Sequence, residues 1–300
     1  MHDLIIIGAG PGGLTAALYA GRSLLNTLLI EKMVVGGRIL MSETIENYPG
    51  FPEGILTSEL ILRMQAQVDS LGVKIENDEV VGIDCQLKTV KTSSGEYHAK
   101  AIIIAAGARP RKLQVPGEEK YTGKGVSYCA TCDAPFYKGK DVIIVGGGNA
   151  VAEEALYLAR FAASVSIIHR RQDLRASGIL QQRLRNEPKI KFILNNVVTQ
   201  IIGSQKVSAV KAKDVVTGEE KEVACDGVFI YIGYQPETNF LKGKLQLDEA
   251  GFIVANEDLS TSEPGVFVCG DCRKKTLYQV INACGDGAIA ADSAYKFIVK

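Results

Sequence analysis

The sequence predicts an α/β chain of two Rossmann-like domains, each a three-layer ββα unit and one inserted into the other. Three observations carry that prediction. A short apolar run, Leu4–Ile7, ends in Gly8-Ala-Gly10-Pro11-Gly-Gly13 and leads into a helical stretch from Leu14 to Arg22. The same construction returns at Val142–Val145, which ends in Gly146-Gly-Gly148-Asn149 and leads into Glu153–Arg160. Each copy has a later strand closing in G-x-x-P, Gly107 to Pro110 in the first and Gly233 to Pro236 in the second. Repetition at this scale is of whole domains, not of a short solenoid unit.

In the first copy the glycines permit a tight turn and close backbone approach, so that a helix N-terminus faces a pyrophosphate. The second strand, Thr27–Ile30, ends in Glu31, placed to accept hydrogen bonds from a ribose hydroxyl. Residues 57–71 have helical spacing, and 73–98 read as short strands with a Ser-Ser-Gly turn at 93–95. Pro110–Glu118, with turn formers at both ends, reads as a crossing between domains, and Gln235–Asn239 as the return. Residues 1–112 and 240–300 are therefore one discontinuous domain, and 113–239 the inserted one.

The copies differ at one matched position. From Gly8 to Glu31 is 23 residues, and 23 residues after Gly146 stands His169, followed by Arg170, Arg171 and, further on, Arg175. A carboxylate repels a 2′-phosphate, whereas guanidinium groups bind one bidentately. Copy one suits a plain adenosine ribose and copy two suits NADPH. The competing reading of an Arg pair is a solvated surface turn. Val151 occupies the third small position of the second glycine motif, where a β-branched side chain pushes the helix off the strand.

Between the copies lies Cys129-Ala-Thr-Cys132-Asp133. Alone, a C-x-x-C is better read as a reduced pair or half a zinc site. Between two dinucleotide units it reads as a redox pair with an acid beside it, suited to thiolate attack through a mixed disulfide. A nicotinamide delivers hydride while a disulfide accepts two electrons with protons, so a carrier such as a flavin is expected between them. A second C-x-x-C, Cys269-Gly270-Asp271-Cys272, lies near Cys284 and invites a four-thiolate metal site or an auxiliary disulfide. Buried small residues account for it better, and no metal is expected. Cys85 and Cys225 read as structural.

With 34 basic against 34 acidic residues, there is no global field to recruit nucleic acid or anionic lipid. No apolar run approaches the ~18–20 residues that span a bilayer, and Met1-His-Asp3 lacks the basic start of a signal. Seven cysteines, an odd number, argue against a secreted disulfide scaffold. A cytoplasmic protein is expected.

Taken together, the motifs resemble the low-molecular-weight, bacterial-type thioredoxin reductases. The resemblance runs through Gly8-x-Gly10-Pro11-x-Gly13, Gly36-Gly37, Glu46-Asn47-Tyr-Pro49-Gly50, Val115-Pro-Gly-Glu118, Cys129-Ala-Thr-Cys132-Asp133, His169-Arg-Arg-x-x-x-Arg175, Gly265-Val-Phe-x-x-Gly270-Asp271 and Gln279. It covers the whole chain. It implies an FAD domain interrupted by an NADPH domain that carries the redox disulfide. Electrons then pass from NADPH through FAD and the Cys129–Cys132 disulfide to thioredoxin, in a homodimer. Cys132 would lie against the flavin, Cys129 would attack thioredoxin, and Asp133 would handle the thiol protons. FAD would be held by Gly8, Gly10, Pro11 and Gly13, by Glu31, Lys32, Gly36, Gly37 and Arg38, and by Asn47 and Val81. Ala106 and Gly107, Gly270 and Asp271, and Tyr278, Gln279 and Val280 complete its set. NADPH would take Gly146, Gly148, Asn149, His169, Arg170, Arg171 and Arg175. The disulfide and the nicotinamide need the same flavin, which the family resolves by rotating the inserted domain about the two crossings.

The chain departs from that pattern at Arg38, where Gln is usual, at Ala106 inside the usual Ala-Thr-Gly, and at Tyr278, where Arg is usual. Arg38, Tyr278 and Val151 keep open a rival with the same fold and another donor, ferredoxin or reduced flavin, or another disulfide partner such as a glutaredoxin-like or peroxiredoxin-associated protein. Arg170, Arg171 and Arg175 favour NADPH. A third reading, a metal- or nucleotide-binding protein without turnover, predicts a colourless sample.

Overall fold

The computed structural model describes residues 1–300 apart from 42, 43 and 46, and apart from the side chains of Met41, Thr131 and Cys132. Glu46 of the Glu46–Gly50 motif and the Cys132 thiol position thus lie outside the described residues. The chain forms two compact units, Met1–Arg109 with Gln235–Lys300, and Pro110–Tyr234. The corresponding boundaries expected from the sequence are 112/113 and 239/240.

In the first unit β1 (His2–Ile7) leads to α1 (Pro11–Arg22), β2 (Thr27–Glu31), the short pair β3 (Thr44–Ile45) and β4 (Ile55–Leu56), and α2 (Thr57–Asp69). Then come β5 (Lys74–Asn77), β6 (Val80–Asp84), β7 (Thr89–Thr92) and β8 (Glu96–Ile104). The sheet runs β5-β2-β1-β8-β7-β6, with a late strand, β19 (Val266–Val268), also paired to β8. Neighbours are parallel from β5 through β8 to β19, and antiparallel from β8 through β7 to β6. The apolar run of β1 has no polar alternation because both faces are covered. Leu4 and Ile6 belong to one buried cluster and Ile5 and Ile7 to another. Each such side chain contributes about 1.5–3 kcal/mol relative to exposure. On one face α1 packs against the last helix, α6 (Val280–Ile298), where a Cβ on Gly287 would stand 2.3 Å from Gly12 O.

The second unit holds β10 (Val126–Ser127), α3 (Ala130–Asp133), β11 (Asp141–Gly146), α4 (Asn149–Ala159), β12 (Ser164–Ile168), α5 (Gly178–Asn186) and β13 (Ile190–Ile193). A three-stranded antiparallel sheet follows, β14 (Asn196–Gly203), β15 (Val207–Asp214) and β16 (Glu220–Ala224), then β17 (Gly227–Tyr231). The main sheet is wholly parallel, in the order β10-β17-β11-β12-β13. Its β11 also splits its side chains, Val142 and Ile144 to one cluster and Ile143 and Val145 to the other. The antiparallel sheet supplies the second β layer of the ββα unit, whose strands the sequence pattern does not place. Its alternation is broken by a register shift between Val198 and Gln200.

The parallel strands of unit one run β5-β2-β1-β8-β19 and those of unit two β13-β12-β11-β17-β10. The outermost strand of the second unit comes before its glycine loop in the chain. That permutation delivers the chain from the carboxyl end of β10 directly into Cys129. Ligands in such sheets bind outside the carboxyl ends of the strands.

Candidate active sites

The glycines of the first loop are fixed by contact. Gly8 has φ +103°, and a Cβ there would lie 2.5 Å from Ala105 O; a Cβ on Gly13 would lie 1.8 Å from Gly8 O. By contrast, a Cβ on Gly10 would meet only Gly36 O, at 3.9 Å, so the loop's open side is the backbone surface around Gly10. Pro11 begins α1, where the missing N–H costs nothing. The Glu31 carboxylate braces this loop: Ala9 N donates to Oε2 at 2.8 Å and Met33 N to Oε1 at 3.1 Å. Gly36 N donates to Ala9 O at 2.8 Å, bringing the Gly36-Gly37 turn to the same place.

The remaining residues of the first set fall into two groups. Asn47 Nδ2 donates to Gln279 Oε1 at 3.0 Å, at the start of α6, with Val280 next in chain. Arg38 Nη1 donates to Ala108 O at 3.1 Å and Nη2 lies 3.3 Å from Asp271 Oδ2. Asp271 Oδ1 is buried and 3.0 Å from Lys275 Nζ, in ion-pair range but out of line for a hydrogen bond. Tyr278 packs on Phe252, ring centroids 5.6 Å apart. Gly107 and Gly270 both have positive φ, with no atom within 4 Å of a Cβ on Gly107, and Ala106 packs on the core beneath. Lys32 and Val81 are exposed.

In the second loop a Cβ on Gly146 would meet Tyr231 O at 2.2 Å and Val151 Cγ2 at 2.7 Å. Val151, expected to push the helix off the strand, is buried, with its Cγ2 in the space that Gly146 leaves beside it. A Cβ on Gly147 would strike the His169 ring at 2.4 Å, so the ring lies under the loop, 4% exposed. Burial first, and then the charges of Arg175, Arg170 and Arg171, hold its pKa below the usual histidine range. Gly148 is open; Asn149 Oδ1 accepts from Ser177 N at 2.8 Å, and Arg175 N donates to Gly147 O at 2.7 Å. These bonds tie the arginine segment to the glycine loop. Arg170, Arg171 and Arg175 are exposed, with no carboxylate partner among the described residues.

Cys129 is disulfide-bonded, while Cys85, Cys225, Cys269, Cys272 and Cys284 are free. Ser127 Oγ accepts from Cys129 N at 3.0 Å and donates to Cys129 O at 3.2 Å. The Tyr231 hydroxyl accepts from Ala130 N at 2.6 Å. Asp133 is half-buried, and burial raises its carboxyl above the ordinary range although Ser127 opposes the shift. Tyr137 is pushed up to about 12 by burial and by the charge of Asp133. Glu118 braces the crossing, accepting from Leu113 N at 2.9 Å, Gln114 N at 2.7 Å and the Tyr128 hydroxyl at 2.7 Å. Ser127, Tyr231 and Glu118 support the cysteine segment without any motif to announce them as such. The second cysteine pair is fully buried, its thiols raised chiefly by burial, Cys272 to about 11, which keeps them protonated and inert. Among the described residues no group of three His, Cys, Asp or Glu side chains could hold a metal ion.

The model of the pyridine nucleotide-disulphide oxidoreductase family matches residues 2–287. The thioredoxin reductase of Peptoclostridium acidaminophilum is 44% identical over 306 residues, covering 99% of this chain and 97% of its own. That of Bacillus subtilis (strain 168) is 45% identical over 301 residues, with 99% and 95% covered. The solved thioredoxin reductase of Lactococcus lactis superposes with a TM-score of 0.80 at 46% identity, covering 100% of this chain and 99% of that one.

Proposed function

This chain belongs to the pyridine nucleotide-disulphide oxidoreductases, and from that membership we propose a division of labour among its residues. It is an FAD-dependent thioredoxin-disulfide reductase that takes its electrons from NADPH. The first unit holds FAD and the second holds NADPH and the redox disulfide. The observation that carries this assignment is the disulfide at Cys129, built into the same unit as the glycine loop tied to three exposed arginines.

The residues fit both groups. The open backbone around Gly10 and the brace from Glu31 suit a pyrophosphate and ribose of FAD, with Asp271, Asn47 and Gln279 further along. A carboxylate already accepting two backbone N–H groups keeps lone pairs for a ribose hydroxyl. In the second unit, open Gly148 and the exposed guanidinium groups suit the pyrophosphate and 2′-phosphate of NADPH. When bound, the nicotinamide supplies a hydride and the flavin converts it to the electron pair that a disulfide accepts.

Cys132 takes the flavin side and Cys129 the partner side. Cys129 attacks the thioredoxin disulfide, and Cys132 then resolves the mixed disulfide, so that one disulfide re-forms as another is reduced. Asp133 holds the proton released as a thiol becomes thiolate, and burial, by raising its carboxyl above the ordinary range, favours its holding that proton. Ser127 and the Tyr231 hydroxyl hold the backbone on both sides of Cys129 still while this happens. The protein works as a cytoplasmic homodimer. Exposed apolar side chains on α1 and α6, Tyr19, Ile281 and Ile289, support a partner surface, and no described helix is long and apolar enough to cross a membrane.

Anaerobic rapid mixing with NADPH tests the donor: flavin absorbance bleaches within seconds, and its persistence would remove NADPH as donor. Cys132→Ser keeps NADPH oxidation by small acceptors and loses thioredoxin reduction by about three orders of magnitude or more. Retained thioredoxin turnover in that variant would sink the assigned role.

A further inference from the structure

The last helix of the first unit, α6, meets three of the segments assigned to FAD, and one buried acid on it holds two of them together. Gln279, its N-cap, carries the bond from Asn47. Further along, the first glycine loop closes on the helix: a Cβ on Gly12 would stand 3.1 Å from Ala283 O and 3.5 Å from Gly270 Cα. Asp286 lies at the same level, next to Gly287, the glycine that lets α6 approach Gly12. Its Oδ2 accepts from Gly270 N at 3.2 Å and from Arg273 Nε at 2.9 Å, and its Oδ1 accepts from Arg273 Nη2 at 2.7 Å. The Lys275 ammonium lies 3.4 Å from Asp286 Oδ2 and 3.0 Å from Asp271 Oδ1. The side chains of Lys275 and Asp286 are 3% and 4% exposed, so water screens these contacts weakly. A helix acid that served its own helix would pair three or four residues away. Asp286 instead directs its lone pairs to Gly270, Arg273 and Lys275, the segment that carries Asp271.

We propose that Asp286 is a positioning residue for FAD, fixing the distance between the Gly8–Gly13 loop, which takes the pyrophosphate, and Asp271, further along the cofactor. This rests on the reading that the first unit holds FAD. A dinucleotide held at two places binds tightly only when both stand at the spacing of the ligand, because the second contact then forms with little further loss of freedom. The contact between Gly12 and Gly287 sets one end against α6, and Asp286 sets the other. Without the acid, Gly270 N and two cations lose their shared acceptor and the 270–275 segment shifts. The glycine loop stays where it is, held by the packing of Gly13 on Gly8 and by the bond from Ala9 N to Glu31.

The test is equilibrium dialysis of the full-length chain, stripped of flavin, against FAD, with and without ADP as competitor. ADP carries the adenosine and the two phosphates and none of the flavin half, so its inhibition constant against FAD reads the glycine-loop end alone. In Asp286→Asn, which keeps the volume and one acceptor oxygen, the dissociation constant of FAD should rise about tenfold or more, with the ADP constant within about twofold of wild type. Arg273→Gln loosens the same joint from its more exposed side and should raise the FAD constant about threefold or more, again without moving ADP, which keeps the test decisive if Asp286→Asn does not fold. Equal losses of FAD and ADP binding would make Asp286 a support of the whole unit and overturn the positioning role. FAD affinity unmoved in both variants would overturn it as well. Wild-type chain that takes up no FAD, or from which ADP displaces none, would instead overturn the assignment of the first unit, and the proposal with it.

Discussion

Two glycine loops, one in each unit, begin with the same backbone and end in opposite chemistry. In the first, the residue at the matched offset is Glu31, whose carboxylate reaches back to accept from Ala9 N and Met33 N. In the second it is His169, whose ring is pressed under Gly147 and carries its charge poorly there. The acid acts on the loop through hydrogen bonds and the imidazole acts on it through volume. The cations the second unit keeps on its surface for the proposed recognition are Arg170, Arg171 and Arg175, while the histidine holds up the loop they flank. The shared offset is a property of the ββα frame.

The strongest way to break the comparison is at Gly13. A Cβ there would overlap a backbone oxygen that no side-chain rotation can clear. Gly13→Ala should therefore cost more than about 4 kcal/mol and leave a protein without FAD. Purified variant with full flavin absorbance at an unchanged unfolding midpoint would show that α1 shifts to make room. The second loop is sharpened by replacing the surface charges instead of the frame. Arg170→Ala with Arg171→Ala removes two charge-assisted contacts of about 1.5–3 kcal/mol each. The KM for NADPH should rise by about a hundredfold or more, with kcat changed by less than about threefold and the KM for NADH nearly unmoved. An NADPH KM within about threefold of wild type would place 2′-phosphate recognition elsewhere.

Both glycine loops were legible because their requirements are local. Positive φ at Gly8 and Gly146 and the close packing at Gly13 write glycine into the chain at fixed spacing. Continuous apolar strands between covered faces were legible for the same reason. The supports of the cysteine segment were not: Tyr231 reaches Ala130 across 101 residues, and nothing in the composition near either one predicts the meeting. The same holds for Arg38 and Asp271, 233 residues apart, which the sequence presents as two separate flavin contacts and the fold joins as a pair. The second β layer was expected, but the positions of β14–β16 were not legible, because these strands are partly charged and their register slips, so neither alternation nor a continuous apolar run marks them. Val151 is instructive in the other direction. Read as a misfit, it packs fully because its bulk occupies the space that Gly146 leaves.

The smallest effect isolates the buried imidazole. With its pKa held below 6.5 in the folded state, His169 binds a proton less readily there than in the unfolded chain. Its contribution to stability is complete above 6.5, and it is lost as pH falls through 6.5 towards the depressed folded value. Glu154 has the opposite sign. Burial and the charge of Glu153 raise it from 4.5 to about 7, so the folded state holds its proton and stability declines as pH rises between those values. The two trends overlap, and a wild-type profile alone mixes them. Comparing wild type with His169→Gln cancels the Glu154 contribution, because both proteins carry it. Urea unfolding midpoints measured at pH 8, 6.5 and 5 should therefore fall more steeply below 6.5 in wild type than in the variant, whatever the packing cost of the glutamine. Parallel profiles would mean that the ring under Gly147 titrates as freely folded as unfolded, and the second loop would then rest on a support other than a neutral imidazole.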